Sequence, residues 1–106
     1  MLTWQDVAAL EDVFEGAGIA VVVGGREIAI FQAEGAIYAT DNLCSHGDAR
    51  LCEGFVEGHE VECPFHQGRF DLRTGHATCA PAVEPIHTWP VKVQAGRIWV
   101  DLSAQG

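Results

Sequence analysis

Ile19-Ala20-Val21-Val22-Val23-Gly24-Gly25-Arg26-Glu27-Ile28-Ala29-Ile30-Phe31-Gln32-Ala33-Glu34-Gly35-Ala36-Ile37-Tyr38-Ala39-Thr40 is the stretch that decides the fold class of this chain. Ile19 to Val23 is short, β-branched and bounded by Gly18 and Gly24, which reads as a strand. Gly24-Gly25 is a two-residue hairpin signal, because the preferred turn needs positive φ at both central residues. Arg26 to Ala33 then alternates Ile28 and Ile30 with Glu27, Ala29 and Phe31 as a second strand, and Glu34-Gly35 turns the chain into a third at Ala36 to Thr40. The expected unit is an antiparallel three-stranded meander.

Outward from this meander the same pattern continues. Leu2 to Glu15 reads as one short strand and a turn. Gly54-Phe55-Val56, a Glu57-Gly58 turn and Glu60-Val61-Glu62 read as a hairpin, and Arg69 to Leu72 as a short strand before a Thr74-Gly75 turn. His76 to Pro85 is expected to be irregular. Thr88 to Gln94 and Arg97 to Leu102 close the chain as a hairpin about Ala95-Gly96. No helical period is sustained, and turn signals recur about every eight to twelve residues, so the expected class is an all-β sandwich or barrel-like arrangement.

Two stretches between these strands carry chemistry: Cys44-Ser45-His46 and Cys63-Pro64-Phe65-His66. Each joins one thiol to one imidazole in a stretch with the Gly, Pro and Asp residues of loops. C-x-H and C-x-x-H together suit a cluster of two irons and two sulfides, with two cysteines on one iron and two histidines on the other. Replacing two thiolates by neutral imidazoles removes negative charge from one iron and makes it easier to reduce, so electron transfer is the natural task. Every iron position is then filled by protein and sulfide, which leaves no open site for catalysis at the metal. Structural zinc is the competing occupant, but zinc knuckles group two cysteines in one turn and two histidines in another, whereas here each stretch mixes them. Cys52 and Cys79 fit neither motif and read as free thiols, buried or half-buried. His59, His76 and His87 read as ordinary surface or core histidines, and Trp4, Trp89 and Trp99 as packing residues.

With 106 residues, the chain reads as one domain, 1–106, without room for a second, substrate-binding domain. A net charge of −9, from 15 acidic and 6 basic residues, argues against nucleic acid or an anionic membrane as partner and favours a basic protein surface. Between Cys44 and His66 stand five acids, Asp48, Glu53, Glu57, Glu60 and Glu62, against Arg50 alone, so an acidic field is expected around the ligand stretches. Neither a signal sequence nor an apolar run of membrane-spanning length is visible, which points to a cytoplasmic protein whose cysteines are ligands or free thiols.

Cys44-x-His46 with Cys63-Pro64-x-His66 resembles the Rieske ferredoxins that serve bacterial aromatic-ring-hydroxylating dioxygenases, in their naphthalene dioxygenase branch. The likeness runs through Cys-Ser-His-Gly-Asp at 44–48, Glu-Gly-Phe at 53–55, Glu-Cys-Pro at 62–64, His-Gln-Gly-Arg-Phe-Asp at 66–71 and Thr74-Gly75. The resemblance implies the Rieske fold, small antiparallel sheets in a sandwich with a cluster-binding subdomain spanning about Asn42 to Ala82. It implies that Cys44, His46, Cys63 and His66 bind one [2Fe-2S] cluster at the tip of the molecule, beneath a third loop at Ala80-Pro81. Such a protein is not itself an enzyme. It carries single electrons from an NAD(P)H-dependent flavoprotein ferredoxin reductase to the Rieske centre of a terminal oxygenase. The alternative is a non-redox or zinc-binding Rieske-fold module that docks on an enzyme as a structural or regulatory subunit. High-potential respiratory relatives add a loop-bridging disulfide and Ser and Tyr hydroxyls near the cluster. Ala49, Phe65, Gly68 and Phe70 stand at those positions here, which implies a low potential.

Overall fold

The computed structural model describes residues 4–43, 49–64, 68–80 and 84–103. Its strands are β1 (Trp4–Ala9), β2 (Ala17–Val23), β3 (Arg26–Ala33), β4 (Ala36–Asp41), β5 (Phe55–Glu57), β6 (Glu60–Glu62), β7 (Arg69–Asp71), β8 (Ala77–Cys79), β9 (Thr88–Trp89), β10 (Val91–Gln94) and β11 (Arg97–Asp101). Short 3₁₀ turns occupy Leu10–Asp12 and Leu51–Glu53. Three antiparallel sheets result, in the orders β1-β11-β10, β2-β3-β4-β9 and β5-β6-β7-β8. Among the described residues no helix is long and apolar enough to cross a membrane.

The expected meander is the central sheet. Val23 pairs with Arg26 across Gly24-Gly25, whose φ of +59° and +80° are those a two-residue mirror-image turn requires. Ala33 pairs with Ala36 across Glu34-Gly35, and the Glu15 carboxylate accepts hydrogen bonds from both turn amides, at 2.8 and 3.0 Å. That carboxylate offsets the strain of holding Glu34, a residue with a Cβ, at φ +53°.

Both faces of β3 are buried. Ile28 and Ile30 join Ala8, Val23, Ala39, Trp89, Ile98 and Val100 in one core, against the β1-β11-β10 sheet. Ala29, Phe31 and Ala33 join Leu51, Val61, Phe70, Leu72 and Ile86 in a second core, against the β5–β8 sheet. The β5–β8 sheet and the Leu51–Glu53 turn are thus built on the second face of β3.

Other expectations shift in register. β2 starts at Ala17, one residue before Gly18, because the glycine leaves room for the Phe31 ring to lie against the strand. The β5–β6 turn is Gly58-His59, since Glu57 pairs with Glu60. The segment expected to be irregular contains β8, which pairs with β7 through a bulge. The expected strand Thr88 to Gln94 is two strands in two sheets: β9 pairs with β4 and β10 with β11. Pro90 lies between them, and a residue without an amide hydrogen cannot continue the ladder.

Gly75 and Gly25 have nearly the same backbone angle, φ +82° and +80°, but differ in surroundings. A Cβ on Gly25 would meet open space, whereas one on Gly75 would run into the Ile86 carbonyl, whose own amide donates to the Gly75 carbonyl at 2.9 Å. Gly25→Ala is expected to cost about 1 kcal/mol of unfolding free energy, the left-handed penalty alone. Gly75→Ala is expected to cost about 3 kcal/mol or more because backbone must also move. Denaturant titration of the two variants distinguishes these; equal losses would mean that the Gly75–Ile86 crossing yields easily.

Candidate metal centre

Both ligand stretches spring from closed ends. Leu43 bridges antiparallel to Arg50, and the Leu51 amide donates to the Asn42 carbonyl at 2.6 Å, so residues 44–48 connect two paired segments. Asn42 is fully buried, and its Oδ1 accepts from the Cys52 amide at 2.9 Å, which ties the start of the first stretch to the turn that follows it. The second stretch leaves the Glu62–Arg69 pair of β6 and β7, and the Cys63 amide donates to the Gly68 carbonyl at 2.7 Å. Gly54 lies hard against the Glu62 carbonyl, leaving no space for a Cβ, so the chain leaving the first stretch runs directly along β6.

Of the expected ligands, Cys63 is described: its side chain is 1% exposed and belongs to the core that also takes in Ala49, Leu51 and Phe70. The exit of the first stretch and the entrance of the second are therefore packed into one core. Cys44, His46 and His66 lie outside the described residues, as do Asp48, Phe65 and Pro81. The donor set of the two stretches, two thiols and two imidazoles, fits a mixed-ligand iron–sulfur cluster. The described flank fits as well. Cys63 is a buried sulfur, and Asn42 Nδ2 is a buried donor with no partner among the described residues.

The acidic window around these stretches is more compensated than its composition suggested. Arg69, three residues beyond His66, donates from Nη1 to Glu57 at 2.8 Å and to Glu60 at 3.3 Å, and from Nη2 to Glu62 at 3.0 Å. These carboxylates raise its already high pKa further. Arg50, counted as the compensating cation, instead pairs with Glu27 at the start of β3. Glu53 is exposed and has no ion pair among the described residues. Further out, Arg73 holds the Asp71 carboxyl below its usual range.

The remaining cysteines and histidines separate clearly. Cys52 is half-buried, whereas Cys79, expected to be at least half-buried, is exposed on β8. His59 is half-buried with its ring edge-on to Tyr38, His76 is exposed, and His87 bonds through Nδ1 to Asp41 Oδ2 at 3.0 Å. Trp89 is buried under Arg26, while Trp4 and Trp99 flank Lys92 on the outer face of their sheet. Burial pushes the Cys52 thiol pKa up, outweighing the opposing influence of the neighbouring Asn42 amide. The thiolate is the reactive form. Alkylation of the folded protein with iodoacetamide near neutral pH should therefore label Cys79 first, by peptide mass mapping. Labelling of Cys52 should lag and accelerate only as pH rises past the range of an ordinary thiol. Equal labelling of both near pH 7 would contradict the burial.

The sequence profile of the Rieske [2Fe-2S] domain matches residues 3–90. The ferredoxin component of the naphthalene 1,2-dioxygenase system of Pseudomonas putida is 53% identical over 100 residues, covering 94% of this chain and 96% of that protein. Among solved structures, the ferredoxin of carbazole 1,9a-dioxygenase from Nocardioides aromaticivorans IC177 superposes with a TM-score of 0.88. It is 39% identical, with 93% of this chain and 97% of that one covered. The ferredoxin in a complex of reduced oxygenase and oxidised ferredoxin of carbazole 1,9a-dioxygenase gives a TM-score of 0.85 at 35% identity, over 93% of each chain. With three small antiparallel sheets, the chain belongs to the Rieske [2Fe-2S] domain family, as a ferredoxin rather than a catalytic oxygenase, with a Rieske-type [2Fe-2S] cluster as its cofactor.

Proposed function

We propose that this chain is a cytoplasmic one-electron carrier that passes electrons from an NAD(P)H-dependent flavoprotein reductase to the terminal oxygenase of an aromatic-ring dioxygenase. Its ligands are Cys44, His46, Cys63 and His66, within a cluster-binding subdomain of about residues 42–82 in a single domain, 1–106. The observation that carries this reading is the buried Cys63 thiol at the closed base of its loop, sharing a core with Ala49 and Leu51 from the end of the other loop. When bound, the cluster supplies a site that accepts and releases one electron without bond making at an open metal position. The chain's own part is to hold four donors on two loops whose ends are fixed, so that little rearrangement accompanies the change of charge. Its backbone also sets which hydrogen-bond donors stand near the sulfurs.

At the described positions where the high-potential relatives carry a hydroxyl or a thiol, this chain has neither. Phe70 and Ala49 are fully buried and carry no hydroxyl or thiol, and Gly68 uses its carbonyl to receive the Cys63 amide. Hydroxyl donors to the sulfurs raise the potential of such centres, which span roughly −150 to +300 mV. A midpoint at the low end is expected by redox titration, with Phe70→Tyr raising it, and a midpoint well above zero would contradict the reading. Cys44→Ser or Cys63→Ser should abolish the visible absorption and the EPR signal of the dithionite-reduced protein, whereas Cys52→Ser and Cys79→Ser should leave both intact. One zinc and no acid-labile sulfide, in protein produced anaerobically with ample iron, would end the proposal.

Docking follows from the charge. A net charge of −9, with Glu53 exposed and without an ion pair among the described residues, favours partners that present basic patches around His46 and His66. Reduction by the flavoprotein should slow as salt shortens the Debye length below about 8 Å. Glu53→Lys should slow it further at low salt with the EPR spectrum unchanged. Glu57 is a poor probe of steering, because reversing its charge also disturbs Arg69. A rate indifferent to both salt and Glu53→Lys would exclude steering.

A further inference from the structure

Arg69 is the one guanidinium, among the described residues, that is shared by three carboxylates. The registers of the third sheet explain the sharing. Phe55, Glu62, Arg69 and Cys79 stand opposite one another across its four strands, and Glu57 stands opposite Glu60. Side chains alternate along a strand, so Glu57, Glu60, Glu62 and Arg69 all occupy the outer face, while Val61 and Phe70 between them point into the core. Opposed like charges at Glu57 and Glu60 repel, and strands of three residues are too short to hold their register alone. The guanidinium converts that repulsion into a fastening. It bonds to Glu57 on β5 and to Glu60 and Glu62 on β6 from its own place on β7, with Nε at 3.2 Å from Glu62 in addition to the Nη2 bond.

Its position makes this fastening more than a surface ion pair. Arg69 follows Gly68, whose carbonyl receives the Cys63 amide, and pairs with Glu62, which precedes Cys63. The β6–β7 junction is therefore clamped from inside by Val61 against Phe70 and from outside by Glu62 against Arg69, at the base of the second ligand loop.

We propose that Arg69 is a positioning residue, a latch that keeps the second ligand loop closed at its base and so governs how firmly the protein retains its cluster. Its positive charge also offsets three carboxylates beside the centre. The latch rests on the reading of Cys63 and His66 as ligands.

The test uses the cluster-loaded protein, with iron and acid-labile sulfide assayed first; finding neither in the unsubstituted protein overturns the ligand reading and the latch together. Iron release to a chelator, the reduced EPR spectrum and the midpoint potential are then measured for Arg69→Gln, Arg69→Lys and a control, Arg97→Gln. Arg97 pairs with Asp6 through two nitrogens, but in the sheet of β1 and β11. Arg69→Gln should release iron about tenfold faster and lower the midpoint, since removing a positive charge disfavours the more negative reduced form. Arg69→Lys keeps the charge but not the planar fork, so its midpoint should stay near that of the unsubstituted protein while its release rate lies between the two. This variant also decides the matter if Arg69→Gln does not fold. Arg97→Gln should change none of the three. In a background of Glu57→Gln, Glu60→Gln and Glu62→Gln, the further change Arg69→Gln should add little to the release rate, because the latch works through those carboxylates. Release at the unsubstituted rate from Arg69→Gln, or equal acceleration by Arg97→Gln with an unshifted midpoint in both, would overturn the proposal.

Discussion

Strand β3 buries side chains on both faces, and this obliges the chain to build a layer on each side of it. Ile28 and Ile30 on one face and Ala29, Phe31 and Ala33 on the other are fully buried. Each large apolar side chain so placed contributes about 1.5–3 kcal/mol over its exposed state. Neither core would exist without the sheet opposite it. The β1-β11-β10 sheet joins the two chain ends to close one side, and the β5–β8 sheet closes the other. The stretch with Cys63 and His66 lies between β6 and β7 of this last sheet, and the stretch with Cys44 and His46 joins β4 to the 3₁₀ turn at Leu51–Glu53. Ala49 and Leu51, which follow the latter stretch, share this second core with Cys63, which is a member of that core as well as the root of a loop.

The strands that pair with their sequence neighbours across tight turns were legible without coordinates. Gly24-Gly25, Glu34-Gly35 and Ala95-Gly96 announce themselves, because positive φ at consecutive positions has a narrow residue signature. The two-faced burial of β3 was hidden by Glu27 and Gln32 at its ends, which make it look like a half-solvated strand. The switch of sheet at Pro90 and the short β8 depend on pairing with distant strands, and a local pattern does not encode a distant partner. The two stretches proposed to hold the cluster stand out as motifs because thiol and imidazole at such spacing have few other uses. Arg69 does not. Counting charge between Cys44 and His66 set a boundary in sequence that the sheet ignores, since β7 returns beside β6 and brings its guanidinium to the acids of the previous hairpin.

The same pairing pattern governs the charge that a partner meets. Arg50, Arg69, Arg73 and Arg97 lie against carboxylates, while Arg26 and Lys92 lie over the faces of Trp89 and Trp4. These are all six basic residues of the chain, so each cation is already engaged within the fold. Pairing reduces the local field around each cation but leaves the surplus of nine acids intact at a distance. Long-range attraction to a basic surface therefore persists, whereas short-range recognition must come from what stands unpaired near the loops. Glu53, without an ion pair among the described residues, is one such group, and Phe55, 67% exposed at the edge of the outer face that carries Arg69, is another. A charged approach followed by contact through a small apolar edge suits a carrier that must meet two partners in turn. Attraction of this kind speeds encounter without adding the buried, desolvated contacts that would slow release.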